Sequence, residues 1–282
     1  MLAVYDPFGT GFAESLGPFG TGLAESSARA VRGNVGREGE AMAATIAIIG
    51  ALEKEVRGIC DALEDAFDEE TAGIRIAGGR YAGHDVVATT AGMGTVNVAA
   101  ATQLLISAYD ANTVIFSGIA GGLNPALHID DIVIGEHLRY TDTDTALIAE
   151  SAPGLEEFAS TPSLVDLAEQ VLRDRGYHDI GGTPGCDSPG YLRGTIATGN
   201  RFVTGADMRA AVVEATQADC AEMEGAAVAH VAAKNGIACL VLRAISDNCD
   251  EAYDAFCERD FDLDGYARRA SEIALEIVSR LD

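Results

Sequence analysis

The sequence predicts an α/β sandwich built around a largely parallel sheet. Short apolar runs of the strand type alternate along the chain with segments of helical spacing, beginning with TIAIIG at Thr45–Gly50. The 32 glycines can supply many tight strand-to-helix turns, and a hydrophobic share of 48% is ample for a sizeable core. Strands that alternate with helices in this way are typical of folds with parallel strand pairing.

Each predicted element follows from its local pattern. Thr45–Gly50 is predicted to be a buried strand, and residues 52–66 have the spacing of a helix. Thr161 and Pro162 open a helix that runs to Arg175, because threonine is a good N-cap and proline fits the first helical position. The other predicted strands are 86–90, 113–117, 132–138, 195–198 and 240–244, and the other predicted helices are 96–108, 226–235 and 263–281.

Residues 1–41 differ from the rest of the chain. They contain a near repeat, PFGTGFAES at residues 7–15 and PFGTGLAES at residues 18–26, followed by a polar stretch. Neither strand nor helix periodicity persists there, so we predict a flexible N-terminal extension and a folded domain over residues 42–282. Met42 stands directly before the first predicted strand and is a candidate translation start.

The charge balance restricts the partners that this protein can bind. The chain has 44 acidic and 19 basic residues, a net charge of −25, and its two lysines are Lys54 and Lys234. Such a surface repels nucleic acid and anionic lipid, because both are bound through basic side chains. Repulsion among so many negative charges destabilises the compact state at low salt, where screening is weak. We therefore predict a protein adapted to a salty cytoplasm rather than an ordinary acidic protein.

The sequence lacks signals for membrane insertion, secretion and metal binding. No uncharged apolar run approaches the roughly 18 residues of a membrane helix, and no basic segment followed by an apolar one predicts a signal peptide. The six cysteines form no CxxC pair, and the five histidines have no HExxH spacing. We therefore predict a cytoplasmic protein with reduced thiols, no metal and no organic cofactor.

Four predicted strand ends carry candidate functional residues, and ligands in α/β folds bind beyond the carboxyl ends of the strands. In the first, GALEKEV, two glutamates occupy the first helical turn, where they would repel a phosphate or simply favour the helix dipole. In the second, FSGIAGG, the small residues would allow the backbone to approach a ligand closely. Alternatively, they form only a tight turn. The segments are 50–56, 116–122, 221–227 and 240–247.

The last two strand ends also allow a chemical and a structural interpretation. A glutamate of AEMEGAA could accept two hydrogen bonds from a sugar diol, or could cap the helix that follows. In LVLRAISD, an apolar strand delivers Arg243 and then Asp247 into the crevice. Asp247 could hold its proton near neutrality beside apolar surface, as a general acid must, or could form a structural pair with Arg243.

Taken in this order, the segments resemble the nucleoside phosphorylase and nucleosidase superfamily, and most of all its 5′-methylthioadenosine/S-adenosylhomocysteine nucleosidases. The resemblance spans about Thr45 to Leu281 and rests on IIGALEKEV, SGIAGGLNPALHIDDIV, TGNRFV, EMEGAAVAHV and RAISD. It implies a three-layer α/β/α sandwich with a central mixed, largely parallel sheet. It also implies hydrolysis of the N-glycosidic bond of an adenine nucleoside, and a homodimer in which the neighbour closes the 5′ pocket.

The resemblance implies a role for each matched residue. Glu55 falls on the residue that activates the hydrolytic water, and Asp247 falls on the acid that protonates the purine at N7. Glu224 matches the glutamate that holds the ribose hydroxyls. The other expected contacts are Met223 on the sugar, Phe202 stacked on the base, Val203 against adenine through its backbone, Arg243 and Ser246 as supports for the water and the acid, and Ala120 and Gly121 along the substrate.

Two features favour water as the nucleophile and adenine as the base. Glu53 and Glu55 stand where the family's phosphorylases generally have a basic phosphate loop, with Lys54 as the nearby cation. Asp247 can donate to N7 and also accept from the exocyclic amine of adenine, whereas relatives that act on 6-oxopurines often carry asparagine there. Ile119 departs from the family by replacing a small hydroxyl residue, and residues 248–260 are longer than usual, so the 5′ substituent stays open.

Several alternatives stay open beside the nucleosidase. A purine or uridine nucleoside phosphorylase, or a futalosine or aminodeoxyfutalosine hydrolase, would have the same fold. A non-catalytic nucleoside-binding module is disfavoured because Glu55, Glu224 and Asp247 are all retained. An NAD-binding oxidoreductase is disfavoured because no GxGxxG follows the first strand.

Overall fold

The computed structural model describes residues 45–181, 189–249 and 263–281. The predicted flexible extension (1–41) and the candidate start Met42 lie outside these residues. Most of residues 248–260, the segment expected to border the 5′ pocket, also lies outside the described residues, which include only Asn248 and Cys249 of it. Among the described residues, no helix combines the length and the apolar character that crossing a membrane requires.

The described residues form a mixed sheet of eleven strands. Numbered in chain order, the strands are β1 (Thr45–Gly50), β2 (Glu64–Thr71), β3 (Ile74–Tyr81), β4 (His84–Thr90), β5 (Ala111–Gly122), β6 (Ile132–Tyr140), β7 (Phe158–Ala159), β8 (His178–Asp179), β9 (Gly190–Thr198), β10 (Cys220–Glu222) and β11 (Ala238–Asp247). Their order is β10-β9-β6-β11-β5-β1-β4-β3-β2, with β7 beside β6 and β8 beside β9. Parallel pairs join β4, β1, β5 and β11 in the centre, and antiparallel pairs add β3 and β2 at one edge.

Part of this sheet closes on itself. The short strand β10 pairs in parallel with β9 and antiparallel with the last residues of β5. Strands β5, β11, β6, β9 and β10 therefore form a ring. The ring brings the carboxyl ends of β5 and β11 beside β10, so residues that are far apart in the sequence meet there.

Helices cover both faces of the sheet. They are α1 (Glu53–Ala62), α2 (Thr95–Tyr109), α3 (Thr145–Ile148), α4 (Pro162–Asp174), α5 (Ala206–Thr216), α6 (Gly225–Asn235) and α7 (Leu263–Ser279). Ile46 and Ile48 of β1 pack in one buried core with apolar residues of α1, α4 and α7. Ala47 and Ile49 point to the opposite face, into a second core with α2 and α6. The predicted three-layer α/β/α sandwich is confirmed.

Some predicted boundaries were wrong. The helix predicted over residues 52–66 ends at Ala62, and Glu64 already begins β2. The acidic strand β2 was not predicted, because all of its residues but Thr71 are exposed and it shows no apolar alternation. The three-residue strand β10 was also missed, because so short a strand gives no periodic pattern.

Candidate active site

Glu55 lies in the first turn of α1, where three backbone amides hold its carboxylate. Oε2 accepts hydrogen bonds from the N–H groups of Ala51 (2.7 Å) and Leu52 (2.9 Å), and Oε1 accepts one from Ile119 (3.1 Å). The residue is only 2% exposed. Burial disfavours the charged form and raises the pKa of Glu55, although Arg243 and the three amides oppose that shift.

Gly118 allows Glu55 to approach strand β5. A Cβ atom at this position would lie 2.7 Å from Oε1 of Glu55 and 2.7 Å from Nη1 of Arg243. Real Cβ atoms do not approach other atoms so closely, so any larger residue would push these two side chains away. In this segment Ala120 and Gly121 were predicted to lie along the substrate, whereas Gly118 was not among the predicted site residues.

Arg243 is buried on β11 directly opposite Gly118. Its Nε donates to Oε2 of Glu222 at 3.1 Å, and its Nη2 forms an ion pair with the same oxygen. The guanidinium also lies over the ring of Phe116, 4.0 Å from the centroid. A buried cation requires a partner of this kind, and that partner is Glu222 rather than Asp247.

Glu224 stands between this ion pair and the start of α2. Its Oε1 accepts a hydrogen bond from the N–H of Gly94 at 2.7 Å, and its Oε2 accepts one from the N–H of the half-buried Met223 at 3.2 Å. Nη2 of Arg243 lies 3.9 Å from Oε2. Burial, followed by the negative charge of Glu222, raises the pKa of Glu224 to about 7.

Asp247 ends β11 and is buried. Its Oδ2 accepts a hydrogen bond from the hydroxyl of Ser246, and its Oδ1 accepts one from the N–H of Cys249, both at 2.8 Å. Ser246 also lies 3.2 Å from the carbonyl oxygen of Ala120. A Cβ at Gly121 would lie 2.9 Å from Oδ1 of Asp247, so this glycine makes room for the acid.

Glu55 and Asp247 border the same strand. Glu55 lies against Gly118 and Ile119, whereas Asp247 lies against Gly121. These points are three residues apart on β5, and a strand rises about 3.3 Å per residue, so they are roughly 10 Å apart along it. Both contacts therefore fall within residues 118–122, the last five residues of β5.

The loop after β9 carries the two residues expected to contact the base. Val203 is buried in a small apolar cluster that includes Cys249, whose N–H binds Asp247. The N–H of Gly205 donates to the carbonyl of Cys249 at 3.1 Å, which ties this loop to the end of β11. Phe202 is half-buried in the same loop.

Sequence reasoning missed further residues that shape the site. Asn200 accepts hydrogen bonds from the N–H and the hydroxyl of Thr95, both at 3.0 Å, and so ties the loop after β9 to α2. Gly94, with a φ of 95°, presents its N–H to Glu224. Glu222 stood in the quoted motif EMEGAA, but its role as the partner of Arg243 was not recognised.

The described part of the site is rich in buried carboxyl groups. Within the described ranges, no group of three or more His, Cys, Asp or Glu side chains is arranged to hold a metal ion. Glu55 and Glu224 both have raised pKa values, so they can exchange protons closer to neutral pH than an exposed glutamate. The arrangement of buried carboxyl groups around a guanidinium is suited to acid–base chemistry.

Two nucleosidases from Bacillus are similar to this chain. The chain is 36% identical over 207 residues to the 5′-methylthioadenosine/S-adenosylhomocysteine nucleosidase of Bacillus cytotoxicus, covering 72% of this chain and 85% of that protein. The enzyme of the same name from Bacillus thuringiensis gives the same values.

Solved structures are similar over most of the chain. The S-adenosylhomocysteine nucleosidase of Streptococcus pyogenes, in complex with 5-methylthiotubericidin, has a TM-score of 0.76 at 26% identity, covering 86% of this chain and all of that one. The futalosine hydrolase of Helicobacter pylori has a TM-score of 0.74 at 27% identity, covering 85% of this chain and 99% of that one. Residues 45–280 match the family described as the Phosphorylase superfamily. This chain belongs to the Phosphorylase superfamily.

Proposed function

We propose that this protein hydrolyses the N-glycosidic bond of 5′-methylthioadenosine and S-adenosylhomocysteine, releasing adenine and a 5-thioribose product. The observation that carries the proposal is the arrangement of carboxyl groups around β5. Glu55, Glu224 and Arg243 form one buried cluster that contacts Gly118 of β5, and Asp247 contacts Gly121, three residues further along β5. The names of the relatives at 36% identity point to the same reaction.

The reaction needs an acid on the purine side of the bond. Cleavage places negative charge on the departing purine, and a proton delivered to N7 neutralises it. Asp247 is assigned this role, and the Ser246 hydroxyl and the Cys249 N–H fix the orientation of its carboxyl group. A positioned proton transfer of this kind typically contributes about 10²–10⁴-fold in rate.

The ribose side needs a base and a stabilising charge. Cleavage places positive charge on the sugar, and Glu55 stabilises that charge and takes a proton from the attacking water. Glu224 accepts hydrogen bonds from the ribose hydroxyls, and Met223 packs on the sugar. Because these carboxylates are buried and already held by amides, they need little reorganisation during the reaction.

The turn between β1 and α1 supports water over phosphate as the nucleophile. The free N–H groups at such a turn commonly bind an anion. Here the N–H groups of Ala51 and Leu52 both donate to Glu55, which therefore occupies the place of a phosphate oxygen. Glu53, in the same turn, is exposed and pairs with Arg57 at 3.2 Å.

A futalosine-type hydrolase is the second candidate. The Helicobacter pylori futalosine hydrolase is nearly as similar in structure as the nucleosidase of Streptococcus pyogenes. The 5′ substituent distinguishes the two substrates, and the segment expected to border it lies largely outside the described residues. Offering methylthioadenosine, aminodeoxyfutalosine and futalosine side by side separates the candidates.

We also propose a cytoplasmic homodimer in which a second copy covers the mouth of the site. Met93 and Val96 are exposed apolar residues. They flank Gly94 and Thr95, whose N–H groups donate to Glu224 and Asn200, respectively. Apolar side chains beside a ligand site are well placed for a second subunit. Analytical ultracentrifugation of the purified protein tests this, and a monomer at micromolar concentration contradicts it.

Chromatography of the products tests the proposed function. The purified protein, in phosphate-free buffer with high KCl, is expected to release free adenine from methylthioadenosine. The same assay with Asp247→Asn serves as the control for contaminating activity. Adenine release only when phosphate is added contradicts a hydrolase and favours a nucleoside phosphorylase.

A further inference from the structure

Glu222 ends strand β10, and its carboxylate joins three other elements of the site. Its side chain is only 2% exposed. Oε1 accepts hydrogen bonds from the hydroxyl of Thr198, at the end of β9, and from the N–H of Gly225 at 2.9 Å. Oε2 accepts hydrogen bonds from the N–H of Glu224 and from Nε of Arg243, both at 3.1 Å.

These bonds leave no room for a substrate on Glu222. An ionised carboxylate has about four lone-pair positions for hydrogen bonds. The N–H of Gly225 also lies 2.7 Å from Oε2, and Nη2 of Arg243 pairs with the same oxygen. Glu222 is therefore fully occupied by protein donors, so any effect that it has on the substrate passes through its neighbours.

The first neighbour is Glu224. Its own side chain makes no capping bond to α6, and Glu222 instead accepts the N–H groups of Glu224 and Gly225 at the start of that helix. The Glu224 carboxylate consequently extends to the N–H of Gly94 at 2.7 Å.

The second neighbour is Arg243. This guanidinium lies within 3.9 Å of Glu224. Its Nη1 and Oε1 of Glu55 both lie 2.7 Å from where a Cβ of Gly118 would be. Three buried carboxylates thus surround one cation, and Glu222 is the one that makes hydrogen bonds to it. Without the negative charge of Glu222, the cation would move toward Glu55 or Glu224.

We propose that Glu222 is a positioning residue for the reaction, which holds Glu224, both directly and through Arg243, where it binds the ribose hydroxyls. The inference rests on the proposed function, because it takes Glu224 as the group that binds the ribose hydroxyls. A residue that only stabilises the fold would affect all substrates equally. A residue that positions Glu224 affects most strongly the substrates that carry those hydroxyls.

The test compares kcat/KM of wild type and Glu222→Gln on two substrates, methylthioadenosine and its 2′,3′-dideoxy analogue. On methylthioadenosine we expect a loss of about 10- to 100-fold, the worth of a hydrogen bond to a charged group. On the analogue, which lacks the hydroxyls, we expect a loss of less than about threefold. Equal losses on both substrates overturn the proposal.

A matched control removes a glutamate–arginine ion pair outside the active site and measures the same two kcat/KM values. Glu169 pairs with Arg173 at 2.6 Å and with Arg193 at 3.2 Å, on α4 and β9 and away from the cluster. Glu169→Gln is expected to leave the ratio of the two kcat/KM values unchanged. A ratio that changes as much as in Glu222→Gln would also overturn the proposal.

A double variant tests the same proposal if Glu222→Gln does not fold. Glu222→Gln with Arg243→Gln removes both buried charges, so neither is left unpaired. Relative to Arg243→Gln alone, the double variant is expected to lose more kcat/KM on methylthioadenosine than on the dideoxy analogue, and equal losses on the two substrates contradict the proposal. Wild-type protein that releases no adenine at all contradicts the proposed function instead, and that outcome appears before any variant is compared.

Discussion

Strand β2 and the active-site cluster are both rich in carboxyl groups, but their environments are opposite. The acids of β2 are all exposed at the edge of the sheet: Glu64, Asp65, Asp68, Glu69 and Glu70. The acids of the cluster are buried and held by backbone amides, hydroxyls or a guanidinium: Glu55, Glu222, Glu224 and Asp247. Net charge does not distinguish these groups. Burial and hydrogen-bond partners do.

The two regions also differ in what their charge does. On β2, exposed charges keep an edge strand from pairing with another chain, and salt screens them. Their contacts are those of a surface, such as Arg75 with Asp68 at 3.3 Å, where both side chains are exposed. In the cluster, burial makes each charge costly and each partner important, and it raises the pKa of Glu55 and Glu224.

The largest expected effect separates the regions by activity. Asp247→Asn and Glu55→Gln should each reduce turnover of methylthioadenosine by at least about 100-fold, because each removes a positioned proton transfer. The matched changes Asp68→Asn and Glu70→Gln on β2 should leave turnover within about twofold. Steady-state adenine release checks all four variants, and near wild-type rates for both site variants would show that their roles are misassigned.

A smaller effect is expected when the packing of the cluster is disturbed without touching a charge. Gly118→Ala places a Cβ 2.7 Å from both Glu55 and Arg243, so we expect turnover to fall about tenfold or more and stability to fall by about 1–3 kcal/mol. Gly73, beside β2, has nothing within 4 Å of such a Cβ and a φ of 76°. Gly73→Ala should cost about 1 kcal/mol through backbone strain while turnover is retained. Urea unfolding and adenine release measure both, and equal loss of turnover in the two variants would contradict the assigned contact.

The pKa of Glu224 predicts a dependence of stability on pH. Its folded value of about 7 lies above the ordinary 4.5, so between these pH values the folded state holds a proton that the unfolded state has released. Stability from this group therefore falls as pH rises through that window. The free energy of unfolding of wild type should decline relative to Glu224→Gln between pH 5 and 7.5, by on the order of 1–3 kcal/mol. A difference that stays constant with pH would contradict the raised pKa.

The smallest effect concerns the exposed acids. Glu70→Gln removes one repelling charge from β2, so it should change stability by no more than about 0.5 kcal/mol at low salt. The difference should vanish in 1 M KCl, where the screening length is about 3 Å. Over the same range the wild-type melting temperature should rise with KCl. A flat melting temperature would count against the proposed adaptation to a salty cytoplasm.

The sequence was most informative where apolar runs mark buried strands. The patterns around β1, β5 and β11 located the strands near which Glu55, Arg243 and Asp247 lie, and the family resemblance then implied the roles of these residues. The pattern failed for β2, because its polar and exposed residues carry no apolar alternation. The motif EMEG contains two glutamates, Glu222 and Glu224, and their positions in the sequence do not show which of them pairs with Arg243.

Contacts between distant segments could not be predicted for a physical reason. The bond from Gly94 to Glu224 joins residues 130 positions apart, and the bonds from Thr95 to Asn200 join residues 105 positions apart. Such pairs depend on the ring of strands that β10 closes, and so short a strand leaves no periodic signal. The resemblance supplied the roles of single residues, whereas the structure supplied the groups that hold them.

A crystal structure of Asp247→Asn with methylthioadenosine bound tests the central claim most directly. The side chain at position 247 is expected within about 3.2 Å of purine N7. The Glu55 carboxylate is expected within hydrogen-bond reach of a water that faces the anomeric carbon. A nucleoside bound with either group far from the glycosidic bond would contradict the account.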